Sequence, residues 1–173
     1  MDFNLQSILE NDLVTLRPIV QKDFEPLFKV AADPLVWEQH QNKDRYTQEA
    51  FNQFFNEALA SKGALVIVDN QTAHIIGSSR FRIIDEIESV IEIGWSFLGR
   101  DYWGGKYNRK CKKLMIDHAL QSFERVVFYV NPKNFRSQRA LEKLGAKRMD
   151  DFGKSWVLPK DKGVTFMIDA PLS

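Results

Sequence analysis

The stretch from Ala64 to Leu98 constrains this chain more than any other. Three runs rich in β-branched and aromatic residues, "ALVIVD", "IIGSSRFRII" and "VIEIGWSFL", follow one another with only short polar turns between them. Connections that short join antiparallel neighbours, because a parallel crossover needs a dozen or more residues. The spacing therefore predicts an antiparallel meander around which the rest must be arranged. In the third run, side-chain alternation places Ile91, Ile93, Trp95 and Phe97 on one face. Val90, Glu92, Gly94, Ser96 and Leu98 then fall on the other, so Glu92 is expected opposite the aromatic face.

Helical periodicity flanks the meander on both sides. "VTLRPI" reads as a strand, and Phe24, Leu27, Phe28 and Ala31 then recur at helical spacing until the Asp33-Pro34 step. Thr47 is placed to cap a second helix carrying Phe51, Phe54, Phe55, Ala58 and Leu59, with Gly63 expected to close it. After the meander, Cys111, Leu114, Met115, His118, Ala119 and Phe123 form an apolar stripe, with lysines expected on the solvent side. "RVVFYV" reads as a buried strand. A helix with Ala140, Leu141 and Leu144 follows, with Gly145 at its left-handed end. "AKRMDDF", "SWVLP" and "VTFMID" are expected to supply the last strands, the final two joined by "KDKG". No linker or repeat interrupts the pattern, so residues 1–173 are expected to form one mixed α/β domain.

Composition narrows the function. At 173 residues, 44% hydrophobic, the chain can fill a core, and 24 Lys+Arg against 23 Asp+Glu leave a net charge of +1. No overall field draws it to nucleic acid or to an anionic membrane, so anion binding must be local. Cys111 is alone, the start lacks the basic and apolar pattern of a signal peptide, and no apolar run nears the roughly 20 residues of a membrane span. A soluble cytoplasmic protein is expected. His40, His74 and His118 lie far apart with no Cys pair beside them, so no metal site is expected.

Local anion chemistry is concentrated in "GRDYWGGKYNRKCKKLM". Residues Trp103 to Asn108 lie between a strand end and a helix start, where backbone N–H groups lack partners and the helix dipole is positive. A phosphate fits there. Gly104 and Gly105 allow close backbone approach, and Lys106 and Arg109 can reach the same charge.

The order of elements, with "IEIGWSFLGRDYWGGKYNRKCKKLMIDHAL" and "NPKNFRSQRALEKLGA", resembles the GNAT superfamily of acyl-CoA-dependent N-acyltransferases, in particular its ribosomal-protein N-terminal acetyltransferase-like branch. The resemblance runs from about Leu13 to Met167. It implies a twisted, mostly antiparallel sheet of about seven strands flanked by about four helices. It also implies acetyl-CoA as cosubstrate and an amine acceptor, with a monomer or homodimer as the assembly.

The family loop reads Gln/Arg-x-x-Gly-x-Gly/Ala, and the same register here holds Trp103, Gly104, Gly105, Lys106, Tyr107 and Asn108. The glycines thus occupy intervening positions. With Arg109, these are the residues that the resemblance assigns to the pyrophosphate. Phe97 and Leu98 belong by the same resemblance to the strand that splays to admit the pantetheine arm, and Asn134 either bonds that arm or caps its helix. The thiolate-protonating tyrosine of many members is Leu141 here, and Ser137 is the implied proton donor at the sulfur.

The implied chemistry is direct attack of an amine on the thioester through a tetrahedral oxyanion, with Glu92 as candidate base. Trp37 and His40 follow the first helix, where the resemblance places the acceptor. An α-amine (pKa ~8) asks less of a base than a lysine (~10.4), which favours a protein amino terminus. A small amine or amino sugar is the nearest alternative acceptor, and an acyl-CoA-sensing domain without turnover is the alternative class. Glu92 also reads as an exposed carboxylate, Ser137 as a helix-start serine, and "WEQHQNKDRY" as a polar loop. His118 and Cys111 read as core.

Overall fold

Eight strands share one sheet: β1 (Leu9–Glu10), β2 (Val14–Pro18), β3 (Ala64–Asp69), β4 (Ile75–Asp85), β5 (Val90–Leu98), β6 (Arg125–Val130), β7 (Lys147–Met149) and β8 (Val164–Asp169). Their order is β1-β2-β3-β4-β5-β6-β8-β7, in a computed structural model that describes residues 3–169. Among these neighbours β5 and β6 run parallel and the others antiparallel. The meander β3-β4-β5 is as the turns require.

Helices cover both faces: α1 (Phe24–Ala31), α2 (Gln48–Ser61), α3 (Lys106–Ala119) and α4 (Phe135–Lys143). Strand β3 shows the layering, since alternate residues point opposite ways. Leu65 and Ile67 pack with Met115 of α3 and Leu141 of α4, whereas Ala64 and Val66 pack with Leu27 of α1 and Phe51 and Phe55 of α2. His118 is half-buried against Phe3, ring centroids 4.7 Å apart, and Cys111 is buried in the α3 cluster.

Helix ends follow local chemistry. Thr47 Oγ1 accepts the Ala50 N–H at 3.3 Å at the start of α2. The left-handed residue that ends α2 is Lys62 (φ +51°), one position before the expected Gly63. Gly63 is needed for a different reason: a Cβ there would lie 2.2 Å from the Phe81 carbonyl oxygen, where two strands approach closely. Gly145 does end α4 in the left-handed region, at φ +88°.

Two strand expectations change. Strand β1 is a two-residue addition at the edge, and Ser155–Pro159 form no strand. Both edges of β8 are already paired, by β6 and β7, so "SWVLP" has no ladder to join. Trp156 and Val157 instead pack on Val90, Val127 and Met167, and the Trp156 indole N–H donates to Glu88 at 2.8 Å.

Strand β5 departs from simple alternation. Pairing with β4 jumps from Ser78↔Phe97 to Arg80↔Gly94, so Trp95 and Ser96 together oppose Ser79. This is a bulge, and Trp95 adopts φ +52°, a left-handed conformation unusual for so bulky a residue. Ile91 and Ile93 face the α3 cluster, but Trp95 and Phe97 face the α1–α2 cluster, and Leu98 returns to the first. Glu92 is therefore on the Trp95 side rather than opposite it. Arg82 links the two, its guanidinium 5.0 Å from the Trp95 ring centroid and bonded to Glu92.

Candidate active site

Strands β5 and β6 pair only from Val90↔Arg125 to Glu92↔Val127. From Ile93 onward β5 has no partner on that side among the described residues, so backbone groups are released where the bulge also redirects the chain. The split opens into a cleft of about 930 Å³, walled by the 36–45 loop, α3 and the start of α4. Phe97 and Leu98 line it.

One end of the cleft is the amino terminus of α3. Gly105 occupies the cap position and supplies no capping side chain, while Gly104 has φ +67°. A Cβ at either glycine would meet nothing within 4 Å, so both face open space. Uncapped N–H groups and a positive dipole end thus point into the cleft, lined here also by Lys106, Asn108 and Arg109. The Trp103 indole N–H donates to the Leu98 carbonyl at 2.8 Å, pinning this loop to the strand end, and Arg136 stacks 3.7 Å above its ring. Tyr107 is a correction: its side chain turns away from the cleft, donating to Asp69 at 3.0 Å and packing edge-on against Tyr102.

The middle of the cleft collects the titratable groups. Glu92 is 5% exposed, and its Oε2 accepts from Arg82 Nε at 2.7 Å and forms an ion pair with Arg82 Nη2 at 2.7 Å. Burial raises its pKa against the opposing pull of Arg82, Arg80 and Lys112. Lys112 is buried too, its ammonium bonded to the Ser96 hydroxyl, which in turn contacts the Ser79 hydroxyl at 2.7 Å. Burial pushes the Lys112 pKa down to about 8, although Cys111 and Glu92 act the other way. This lysine was expected on the solvent face of its helix. It shares a face with Asn108 and Met115, one turn before and one turn after it, and that spacing is the sequence signal that marks it.

The first turn of α4 closes the cleft. Asn134 Oδ1 accepts the Ser137 N–H at 3.1 Å, so Asn134 performs the capping and is itself buried. The Ser137 hydroxyl makes no hydrogen bond among the described residues, and Ser137 lines the cleft. The helix-start reading of Ser137 is thereby met by its neighbour. Opposite, His40 lines the 36–45 wall, and its pKa is lowered to about 4 by burial and then by Arg45 and Arg136. Trp37 is a second correction. It is 1% exposed, donates its indole N–H to the Ala31 carbonyl at 2.8 Å, and packs on Phe97 in the core rather than reaching the cleft.

A split parallel pair beside a bulged strand, with an uncapped helix start at its mouth, frames the cleft of this α/β fold, and comparison with known proteins says which family has it. Residues 14–147 match the model of the acetyltransferase (GNAT) domain. The chain is 25% identical over 150 residues to the "Uncharacterized N-acetyltransferase p20" of Bacillus licheniformis, covering 81% of this chain and 82% of that protein. By fold it is similar to a GCN5-related N-acetyltransferase from Brucella melitensis, with TM-score 0.81, 19% identity, and 95% and 79% of the two chains covered. It is also similar to a ribosomal-protein-S5-alanine acetyltransferase from Vibrio fischeri, with TM-score 0.69, 17% identity, and 95% and 97% covered. This chain belongs to the GNAT acetyltransferase family. It is an N-acetyltransferase homologue, and members of this family take their acetyl group from acetyl-CoA. Among the described residues no helix is long and apolar enough to cross a membrane.

Proposed function

We propose that this protein transfers the acetyl group of acetyl-CoA to a primary amine, the α-amino group at a protein amino terminus. The observation that carries the reading is one cleft joining an uncapped helix start to a strand split where Glu92, Ser137 and Lys112 converge. The residues fit acetyl-CoA: open glycines, unpaired helix N–H groups, Lys106 and Arg109 suit its diphosphate, and unladdered β5 backbone suits an extended amide arm. When bound, acetyl-CoA supplies an activated thioester carbonyl.

The chain's own residues supply the rest. Asn108 and the first α3 N–H groups hold the anion, and Asn134 fixes the turn that presents Ser137. Glu92 accepts a proton from the amine directly or through water. Burial raises its pKa toward the working range while Arg82 keeps its carboxylate oriented. Ser137, with its hydroxyl uncommitted, donates a proton where the thiolate departs. The Trp95 bulge holds backbone donors at the split before any ligand arrives, so little reorganisation is needed during reaction. An α-amine, already partly neutral at neutral pH, matches a base tied to an arginine better than a lysine side chain does.

Calorimetric titration with acetyl-CoA, followed by thiol release on adding peptides with free amino termini, tests this reading. Binding with release from free but not amino-terminally blocked, lysine-containing peptides is expected. Binding without release from any amine would leave a sensing domain, and no binding would overturn the cofactor assignment.

A further inference from the structure

The acceptor side of the cleft holds more positive charge than the protein neutralises. Arg45, Arg80 and Arg136 form no ion pair among the described residues, in contrast with Arg82, which is committed to Glu92. Arg80 is 6% exposed, and its Nε and Nη2 are buried without a hydrogen-bond partner among the described residues. The guanidinium lies 4.3 Å from the Trp95 ring centroid and 5.9 Å from that of Phe54, and Glu57 and Glu92 favour its charge without forming a salt bridge with it among the described residues. Arg45 shares the Phe54 ring at 4.8 Å and lines the cleft, as does Arg136. The acids that influence them, Glu57 and Asp44 for Arg45 and Glu38 for Arg136, make no salt bridge with them. Between Arg45 and Arg136 sits His40, held neutral by burial and by those two cations.

Cation–π contact offsets only part of the cost of burying a guanidinium, and an unpaired buried charge is expensive. Arg80, buried, and Arg45 and Arg136, half-buried, together create a positive potential around this wall that a partner anion would relieve. The cluster stands on the 36–45 loop, on β4 behind Trp95 and at the first turn of α4, whereas the diphosphate-type site uses the start of α3.

Resting on the acetyltransferase reading, we propose that the amine acceptor carries a carboxylate close to its amino group, and that Arg45 and Arg136, backed by Arg80, receive it. Two sources share this chemistry. One is an aspartate or glutamate side chain within the first residues of a polypeptide, and the other is the free α-carboxylate of an amino acid. A carboxylate bound by one arm of the cluster leaves the adjacent amine directed toward the Glu92 side of the same cleft.

Matched acceptors distinguish these cases. Carboxyl-terminally amidated peptides beginning with aspartate or asparagine form one arm, and alanine against alanine amide forms the other. Each is measured for kcat/KM with the native protein and with Arg45→Gln and Arg136→Gln, and acetyl-CoA affinity is measured for all three by calorimetry. In one arm the acidic member is expected to be preferred by about tenfold or more, and Arg45→Gln is expected to abolish that preference while acetyl-CoA affinity holds. The arm that shows the preference names the source. Equal kcat/KM within both pairs overturns the inference, as does a preference that survives both substitutions. Loss of acetyl-CoA affinity equal to the loss in acceptor KM would assign the cluster to the cosubstrate and overturn it too. Failure of the native protein to bind acetyl-CoA or to release thiol with any amine overturns the parent reading instead, so the two failures are separable.

Discussion

Replacing Lys112 with methionine is expected to stabilise the protein at neutral pH and to remove a pH dependence that the native chain carries. Lys112 is 8% exposed, its ammonium bonded to the Ser96 hydroxyl and 5.6 Å from the Phe128 ring centroid. Burial lowers its pKa from 10.5 to about 8. Between those values the unfolded chain binds more protons than the folded one, so stability rises as pH rises through the interval. Below about 8 the amine is protonated in both states, and the folded state bears the full cost of the buried charge. A gap of about 2.5 pH units, at about 1.4 kcal/mol each, corresponds to about 3 kcal/mol.

Methionine has a similar length and no charge, and it forfeits one hydrogen bond contributing about 1 kcal/mol. The variant should therefore be about 2 kcal/mol more stable at pH 7, and the advantage should vanish near pH 10. Urea unfolding followed by tryptophan fluorescence, run on both proteins from pH 6.5 to 10, measures the difference while titrations common to both cancel. A difference that stays constant with pH, or a variant less stable at pH 7, would refute the claim that this ammonium is buried at a cost.

Four further outcomes follow from the site. Glu92→Gln should lower kcat by about 100-fold. It should also remove the rise of rate with pH, because Glu92 acts deprotonated and burial places its pKa above the ordinary carboxylate range; an unchanged profile would exclude Glu92 as the base. Ser137→Ala should lower kcat by about 10-fold or more with acetyl-CoA affinity retained, since Asn134 rather than Ser137 caps the helix. Alanine at both Lys106 and Arg109 should weaken acetyl-CoA binding by about 10-fold or more and flatten its salt dependence, as read by calorimetry at two ionic strengths. Trp37→Ala should cost about 3–5 kcal/mol in urea unfolding, whereas Trp37→Phe should leave the acceptor KM unchanged, because the ring lies in the core.

The candidate site was legible in unequal parts. The loop around Gly104 and Gly105 was readable because an uncapped helix start with adjacent glycines is a local property of consecutive residues. Lys112 was misassigned to solvent because five cations crowd one helix, and periodicity alone does not say which of them faces the sheet split. Trp37 followed the same logic in reverse: it lies in a polar stretch, yet its side chain enters the core and donates to Ala31. The arginine cluster left no local mark, since Arg45, Arg80 and Arg136 come from three distant segments that meet only around Phe54, Trp95 and Trp103.

By itself the sequence determined the meander, the four amphipathic helices and the buried strand that became β6, because each rests on periodicity and turn length within a short window. It also determined the caps at Thr47 and Gly145, which depend on one side chain or one left-handed residue. Tertiary contact decided the rest. Trp95 occupies a left-handed conformation because two residues of β5 oppose one of β4, which reverses the facing of everything after it and brings Glu92 to the Trp95 side. Trp156 packs as a loop residue because β8 has no free edge. In both cases the outcome is set by what a neighbouring strand offers, and a strand's partner is not encoded in its own residues.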